Sequence, residues 1–314
     1  MGSWEAFWRS RGFLPSIVNN PALWAMMRKE ASNAGPDAVV LVGSSRMMLA
    51  INPDAFVSAT GWSKPIQLAI PMGASIPVLT NLSEDPSFSG KVICEVNPLA
   101  FFDSSRLLDH ISKGYIAAYS SFSWADGIEE RLKLALQQTL VSRLPALYPK
   151  QLRNALINGR WPRPDHIRTT PDRFGQADFR RLEHLHSFIR MTAFQRSRMQ
   201  WLRHPYTGNQ LAELIRTLNQ SVMKIRDRGG DVVFVRLPST AHILEDETRW
   251  YPRQRYWDVF AEKSIAATIH FEDYPELSQF RPPDGEHLDA RDTIMFSRAL
   301  GKILLEKIQN GHAP

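Results

Sequence analysis

Ala38-Val39-Val40-Leu41-Val42-Gly43-Ser44-Ser45-Arg46 is the stretch on which the reading of the fold turns. Its apolar run is too short for a helix and rich in β-branched residues, which suits a strand buried on both faces of a parallel sheet. The run stops on glycine and serine, so Ser44 and Ser45 are expected on an exposed loop at the strand's carboxyl end. Apolar runs of similar length recur at Ile66 to Ile70, Val92 to Val96, Val232 to Leu237 and Ala267 to Phe271. Between them lie segments of helical periodicity at 77–82, 104–112, 126–147, 176–201, 207–228, 256–265 and 289–309. The alternation predicts an α/β fold, a doubly wound parallel five-stranded sheet with helices on both faces.

Around this frame two segments stand apart. Residues 1–37 form an amphipathic lead-in, with Trp4, Phe7, Trp8, Phe13 and Leu14 ahead of a helix near Pro21 to Ala31, expected to pack across the main domain, 38–314. The strands at Val92 and Val232 are separated by about 135 residues, far beyond an ordinary αβ connection, which calls for an insertion. Its basic, aromatic part runs from Tyr148 to Pro205, and the helical insertion as a whole is placed at 120–205. Pro162, Pro164 and Pro171 make its middle a loop. Thirteen Lys and Arg face four Asp and Glu between Arg143 and Arg203, although the whole chain carries a net charge of only +6. Such a block attracts anionic polymers or lipid surfaces, or is simply the solvated face of helices.

Composition narrows the class. A chain of 314 residues, 43% hydrophobic and 22% charged, is neither disordered nor a disulfide-stapled miniature. Its single cysteine, Cys94, excludes an internal disulfide and sits in an apolar run, as a buried small hydrophobe does. No stretch reaches the roughly 18 to 20 apolar residues that span a bilayer, and the first thirty residues lack a secretory core, so the chain as given reads as soluble. The opening Met-Gly-Ser fits either a natural start or the removal of an upstream segment. His184 and His186 alternate on an expected helix and do not share a face, while His166, His204 and His270 stand alone, so no metal and no cofactor is expected. No nucleic-acid-binding module is recognisable either.

In parallel α/β sheets ligands lie beyond the carboxyl ends of the strands. The loops there contain Gly43-Ser44-Ser45, Pro71-Met72-Gly73-Ala74 and Glu95-Val96-Asn97-Pro98, and Asp284-Gly285-Glu286-His287-Leu288 precedes the last helix. A serine hydroxyl becomes a useful nucleophile when an imidazole takes its proton and a carboxylate fixes that imidazole. Ser45, His287 and Asp284 supply those three groups. The backbone N–H groups of Ser45 and Gly73 and the amide of Asn97 supply candidate oxyanion donors.

These blocks resemble the SGNH (GDSL-like) hydrolase superfamily in order and spacing: Ser45 falls on the block serine, Gly73 and Asn97 on the oxyanion positions, Asp284 and His287 on the final pair. Two blocks depart from the pattern. Ser44 stands where the family has Asp, and Glu95-Val96-Asn97-Pro98 replaces Gly-x-Asn-Asp. The Gly-Ser-Ser-Arg opening and Asp-Gly-x-His-Leu ending are most similar to cell-envelope members related to alginate acetylation and to D-alanyl transfer onto teichoic acid. The resemblance covers 38–100 and 228–309. It implies a flavodoxin-like sheet and a serine esterase or O-acyltransferase acting through an acyl-serine intermediate. It further implies an acylated carbohydrate or envelope polymer as partner, a membrane-associated partner, and a bacterial periplasmic or envelope location. The alternative is a non-catalytic SGNH-fold binding or assembly factor for an envelope polysaccharide or a partner protein.

Plainer readings stand beside each residue. Ser44 and Ser45 suit the cap of a helix beginning at Arg46, Asp284 a turn beside Gly285, Gly73 a turn, and Asn97 a strand end. Arg46 fits a substrate contact or a surface ion pair, and Glu286 a solvent-facing position. The cluster from Trp250 to Trp257 suits either stacking on sugar rings or core packing.

Overall fold

The computed structural model describes residues 2–182, 184–198 and 202–311. Its main sheet is built from β1 (Val39–Val42), β2 (Ile66–Gln67), β3 (Lys91–Glu95), β6 (Asp231–Arg236) and β7 (Ala267–His270), all parallel, in the order β2-β1-β3-β6-β7. The order reverses between β1 and β3, where Val42 lies opposite Cys94, and crevices that bind ligands open at such a reversal.

The strand sequences divide between two cores with a period of two. Val40, Val42, Val92, Cys94, Val232 and Phe234 face the helices Pro21–Asn33, Ser75–Ser83, Gly208–Arg226 and Trp257–Lys263. Val39, Leu41, Ile93, Val233 and Val235 face Ser45–Ala50, Pro53–Thr60 and Thr293–Gly311. Because both faces are covered, the strands carry apolar residues without interruption, which is why they read as solid runs. Helix Gly208–Arg226 is defined locally as well: Thr207 and Gln210 form a capping box, and Leu211, Leu214, Ile215, Leu218, Val222 and Ile225 make its buried stripe.

The lead-in divides its packing. Helix Pro21–Asn33 lies on the sheet core, and Trp24 Nε1 donates to Leu68 O at 2.8 Å. The first helix, Gly2–Ser10, and the turn after it bury Trp8 and Phe13 against Val141 and Leu147 of the insertion rather than against the sheet core.

The insertion holds helices Trp124–Thr139, Pro149–Asn158 and Leu185–Arg198 and a hairpin of β4 (Ile167–Thr169) and β5 (Gly175–Ala177). The helix expected over 126–147 ends at Thr139, because Glu5 of the lead-in accepts from the N–H groups of Val141 and Ser142 and diverts the chain into short 3-10 turns. The helix expected from 176 begins only at Leu185, since 175–177 pairs with 167–169. Trp201, its expected end, lies outside the described residues. The helix expected over 104–112 runs instead from Asp109 to Ser120, because Asp103 draws Ser105 into a turn and Arg106 takes a positive φ of 48°.

The insertion is stitched to the sheet by Arg173, which is fully buried. Its guanidinium donates to Gln67 O, Ala69 O and Asn19 Oδ1, so the outer edge of β2 is closed by a side chain rather than another strand. Among the described residues no helix is long and apolar enough to cross a membrane.

Candidate active site

Every loop singled out at the carboxyl edge of the sheet is found there, and the two distant blocks meet. Ser44 is the N-cap of helix Ser45–Ala50, its Oγ accepting from the Arg46 N–H at 3.2 Å. The capping role therefore falls to Ser44, and Ser45, at the first helical position, turns its hydroxyl outward. Its Oγ lies 2.8 Å from His287 Nε2, 242 residues away in sequence. At that position the Ser45 N–H has no intrahelical acceptor.

Asp284 orders the other half of the pair. Its Oδ1 accepts from the N–H groups of Glu286 (3.1 Å) and His287 (2.8 Å), and its Oδ2 is 2.7 Å from His287 Nδ1. A carboxylate in that place requires the proton on Nδ1, which leaves the Nε2 lone pair to accept the Ser45 hydroxyl. Gly285 makes the turn possible with a φ of 98°, and a side chain there would strike Ile243. Thr240, the residue before helix Ala241–Trp250, fixes the loop by donating to Gly285 O and Pro282 O.

Burial works against a charged imidazole at His287, but the bond and charge of Asp284, with Glu286 behind it, outweigh that and hold its pKa above the usual histidine value. Burial also raises Asp284, yet the donors around it hold it below the ordinary carboxylate range. The result is a base with an oriented, stabilised conjugate acid.

Behind these groups lies a buried ionic lattice. Arg46 donates from Nη2 to Glu247 Oε1 at 2.7 Å, and from Nε and Nη2 to Glu286 Oε2 at 3.1 and 2.9 Å. Arg236 Nη2 donates to Glu247 Oε2 and to Ser239 Oγ. Glu95 accepts from the Ser44 N–H at 2.6 Å and from the Ser44 hydroxyl at 3.0 Å. Burial pushes Glu95 above the ordinary carboxylate range against the pull of Arg46 and Ser44. At Glu247, Arg236 and Arg46 overcome burial and hold the carboxyl low.

This lattice corrects two expectations. Arg46 is 2% exposed rather than a surface residue; its Nε and Nη2 are committed to Glu247 and Glu286, while its Nη1 is buried with no hydrogen-bond partner among the described residues. Glu286 faces Arg46 rather than solvent. Arg46 is the chain neighbour of Ser45 and Glu286 that of His287, so the ion pair ties the Ser45 loop to the His287 loop. Glu95, Arg236 and Glu247 were missed in the sequence. Glu95 and Arg236 left a signal, since each is a charge ending an apolar strand at the ligand-binding edge.

The two other oxyanion candidates differ. Asn97 precedes helix Pro98–Phe101 without capping it, and its Oδ1 is buried with no hydrogen-bond partner among the described residues, so its amide is uncommitted. Gly73 donates its N–H to Ile70 O at 2.8 Å in a turn that puts Met72 at a φ of 58°. That donor is already used. A side chain at Gly73 would strike Ile70 and Ser112, so its glycine character serves the turn.

No protein-family model matches the chain, and no curated protein does.

The remaining candidates are structural. Tyr251, Tyr256 and Trp257 are core residues, with the Tyr251 hydroxyl donating to Asp103 and that of Tyr256 to Tyr206 O. Burial pushes the Cys94 thiol up to about 12. His270 is buried beside Arg236 and Arg253 and pushed down to about 2, so it stays neutral, accepting from the Glu272 N–H. Among the described residues no cluster of His, Cys, Asp and Glu fits a metal ion.

Proposed function

We propose that this chain is a serine-dependent acyl-ester enzyme of the SGNH hydrolase type, an esterase or O-acyltransferase working through an acyl-serine intermediate. The observation that carries the reading is the continuous relay from Ser45 Oγ to His287 and on to Asp284, formed by two segments with no reason to meet unless the sheet brings them together. Ser45 Oγ attacks the acyl carbonyl carbon while its proton passes to His287 Nε2. The tetrahedral intermediate collapses, the alcohol leaves with that proton, and the acyl group stays on Ser45. Water or an acceptor hydroxyl, deprotonated by His287, then releases it.

The oxyanion is held by the Ser45 N–H and the Asn97 amide, with Gly73 shaping the loop. By its resemblance to the envelope branch, the substrate class is an acylated carbohydrate or envelope polymer, in the periplasm or cell envelope. The test is labelling with a fluorophosphonate and location of the adduct by mass spectrometry. An adduct on Ser45, absent in Ser45→Ala with folding unchanged, supports the enzyme. Absence of labelling in a folded chain that binds acidic polysaccharide would make it the binding factor instead.

A further inference from the structure

Helix Trp124–Thr139 buries Gly127, Glu130 and Leu134 on one side. On the side away from them it exposes Trp124 (76%), Ile128 (47%), Leu132 (63%) and Leu136 (42%), four apolar residues at intervals of four. That spacing draws one continuous stripe along the helix. A water-facing helix carries charges there.

The next helix, Pro149–Asn158, buries no residue at all, and it exposes Leu156 and Ile157 (70%), followed by Trp161 (55%). Between Tyr148 and Arg163 these alternate with Lys150, Arg153, Arg160 and Arg163, and no acidic residue interrupts them. The lead-in joins the two surfaces. Arg9 donates to Thr139 O, where the first stripe ends, while the Arg11 guanidinium lies 4.7 Å from the exposed Phe7 ring and 5.9 Å from that of Trp161.

We infer that this outer face of the insertion and lead-in docks onto an anionic lipid bilayer, lying on its surface with the apolar stripe in the headgroup region. Tryptophan, leucine and isoleucine set among arginine and lysine are what such an interface accommodates, the aromatic rings and aliphatic chains entering the acyl boundary and the cations meeting lipid phosphates. The acid-free run carrying Lys150, Arg153 and Arg160 selects this occupant over a second copy of the chain, since pairing two copies through this face would bring those cations of each copy together. The inference does not depend on Ser45 being a nucleophile.

The experiment is co-sedimentation of the full chain with phosphatidylcholine vesicles, with and without phosphatidylglycerol, at low and high salt. Binding that requires phosphatidylglycerol, weakens with salt, and drops about tenfold or more in the Leu132→Gln/Ile157→Gln variant is expected. The substituted side chains are exposed, so an unchanged melting temperature separates this loss from unfolding. Failure to sediment with anionic vesicles, or equal sedimentation of the variant, would overturn the inference. So would a dimer in vesicle-free solution that the same substitutions disperse, which would assign the face to a second copy.

Discussion

Asn97 is the residue whose role is most open to a decisive measurement. A buried amide oxygen without a partner costs stability, about 1 to 3 kcal/mol for an unsatisfied polar group, so a position that serves only a strand end would tolerate or prefer an apolar side chain. Asn97→Ala is therefore expected to leave the melting temperature unchanged or raise it, while lowering kcat for an activated acyl ester by about 10²- to 10³-fold. A variant with full turnover would remove Asn97 from oxyanion stabilisation. Glu286 invites a different measurement, since its carboxylate pairs with Arg46 and its charge helps raise His287. In Glu286→Gln the acid limb of the kcat/KM profile should move to lower pH, because a weaker negative field leaves the imidazole neutral further into acid. An unmoved limb with reduced kcat would mean that Glu286 acts through loop geometry alone.

At the scale of elements, what the sequence discloses depends on how local the determinant is. The strand ending in Gly43-Ser44-Ser45 is legible because apolar run and terminator lie side by side, and the relation of Asp284 to His287 because one turn of backbone sets it. The hairpin of β4 and β5 is not, because its strands are three residues long and neither has an apolar run. Its position comes from distant partners. Gly175 passes so close to Leu49 on helix Ser45–Ala50 that a side chain would collide, and Ala290, just past His287, donates its N–H to Ala177 O. The hairpin thus braces both halves of the relay. Arg173 anchors it, and Arg173→Met would strand the three acceptors that its guanidinium now satisfies. The loss should reach about 3 kcal/mol or more by the cost of unsatisfied buried groups, read as a lower denaturation midpoint. Turnover should fall by more than the folded fraction does if the brace also positions Ser45, and in proportion to it if the clamp only stabilises.

Across the whole molecule, the site is an ionic assembly that no single segment encodes. Arg46, Glu95, Arg236, Glu247 and Glu286 come from five separate stretches and are adjacent only because the sheet order sets the ends of β1, β3 and β6 side by side. The sheet could be read from its apolar runs, but the partner of each charge at its edge could not, since ion pairing leaves no periodicity in the chain. The assembly ties stability to pH in two directions. Asp284 and Glu247 titrate lower in the fold than in the unfolded chain, so what they contribute is present above the ordinary carboxylate range and fades as pH falls through their folded values. His287 titrates higher in the fold. Its contribution is complete below the ordinary histidine value of 6.5 and fades as pH rises through its folded value. The proposed mechanism needs the imidazole neutral, so turnover should climb over the same interval in which this stabilisation disappears. Melting temperatures of the wild type and of His287→Gln, measured from pH 5 to pH 9, should therefore converge as pH rises above about 6.5. A constant gap between the two curves would show that the charged form of His287 gains nothing from its place beside Asp284, and the acid limb of catalysis would then need another group.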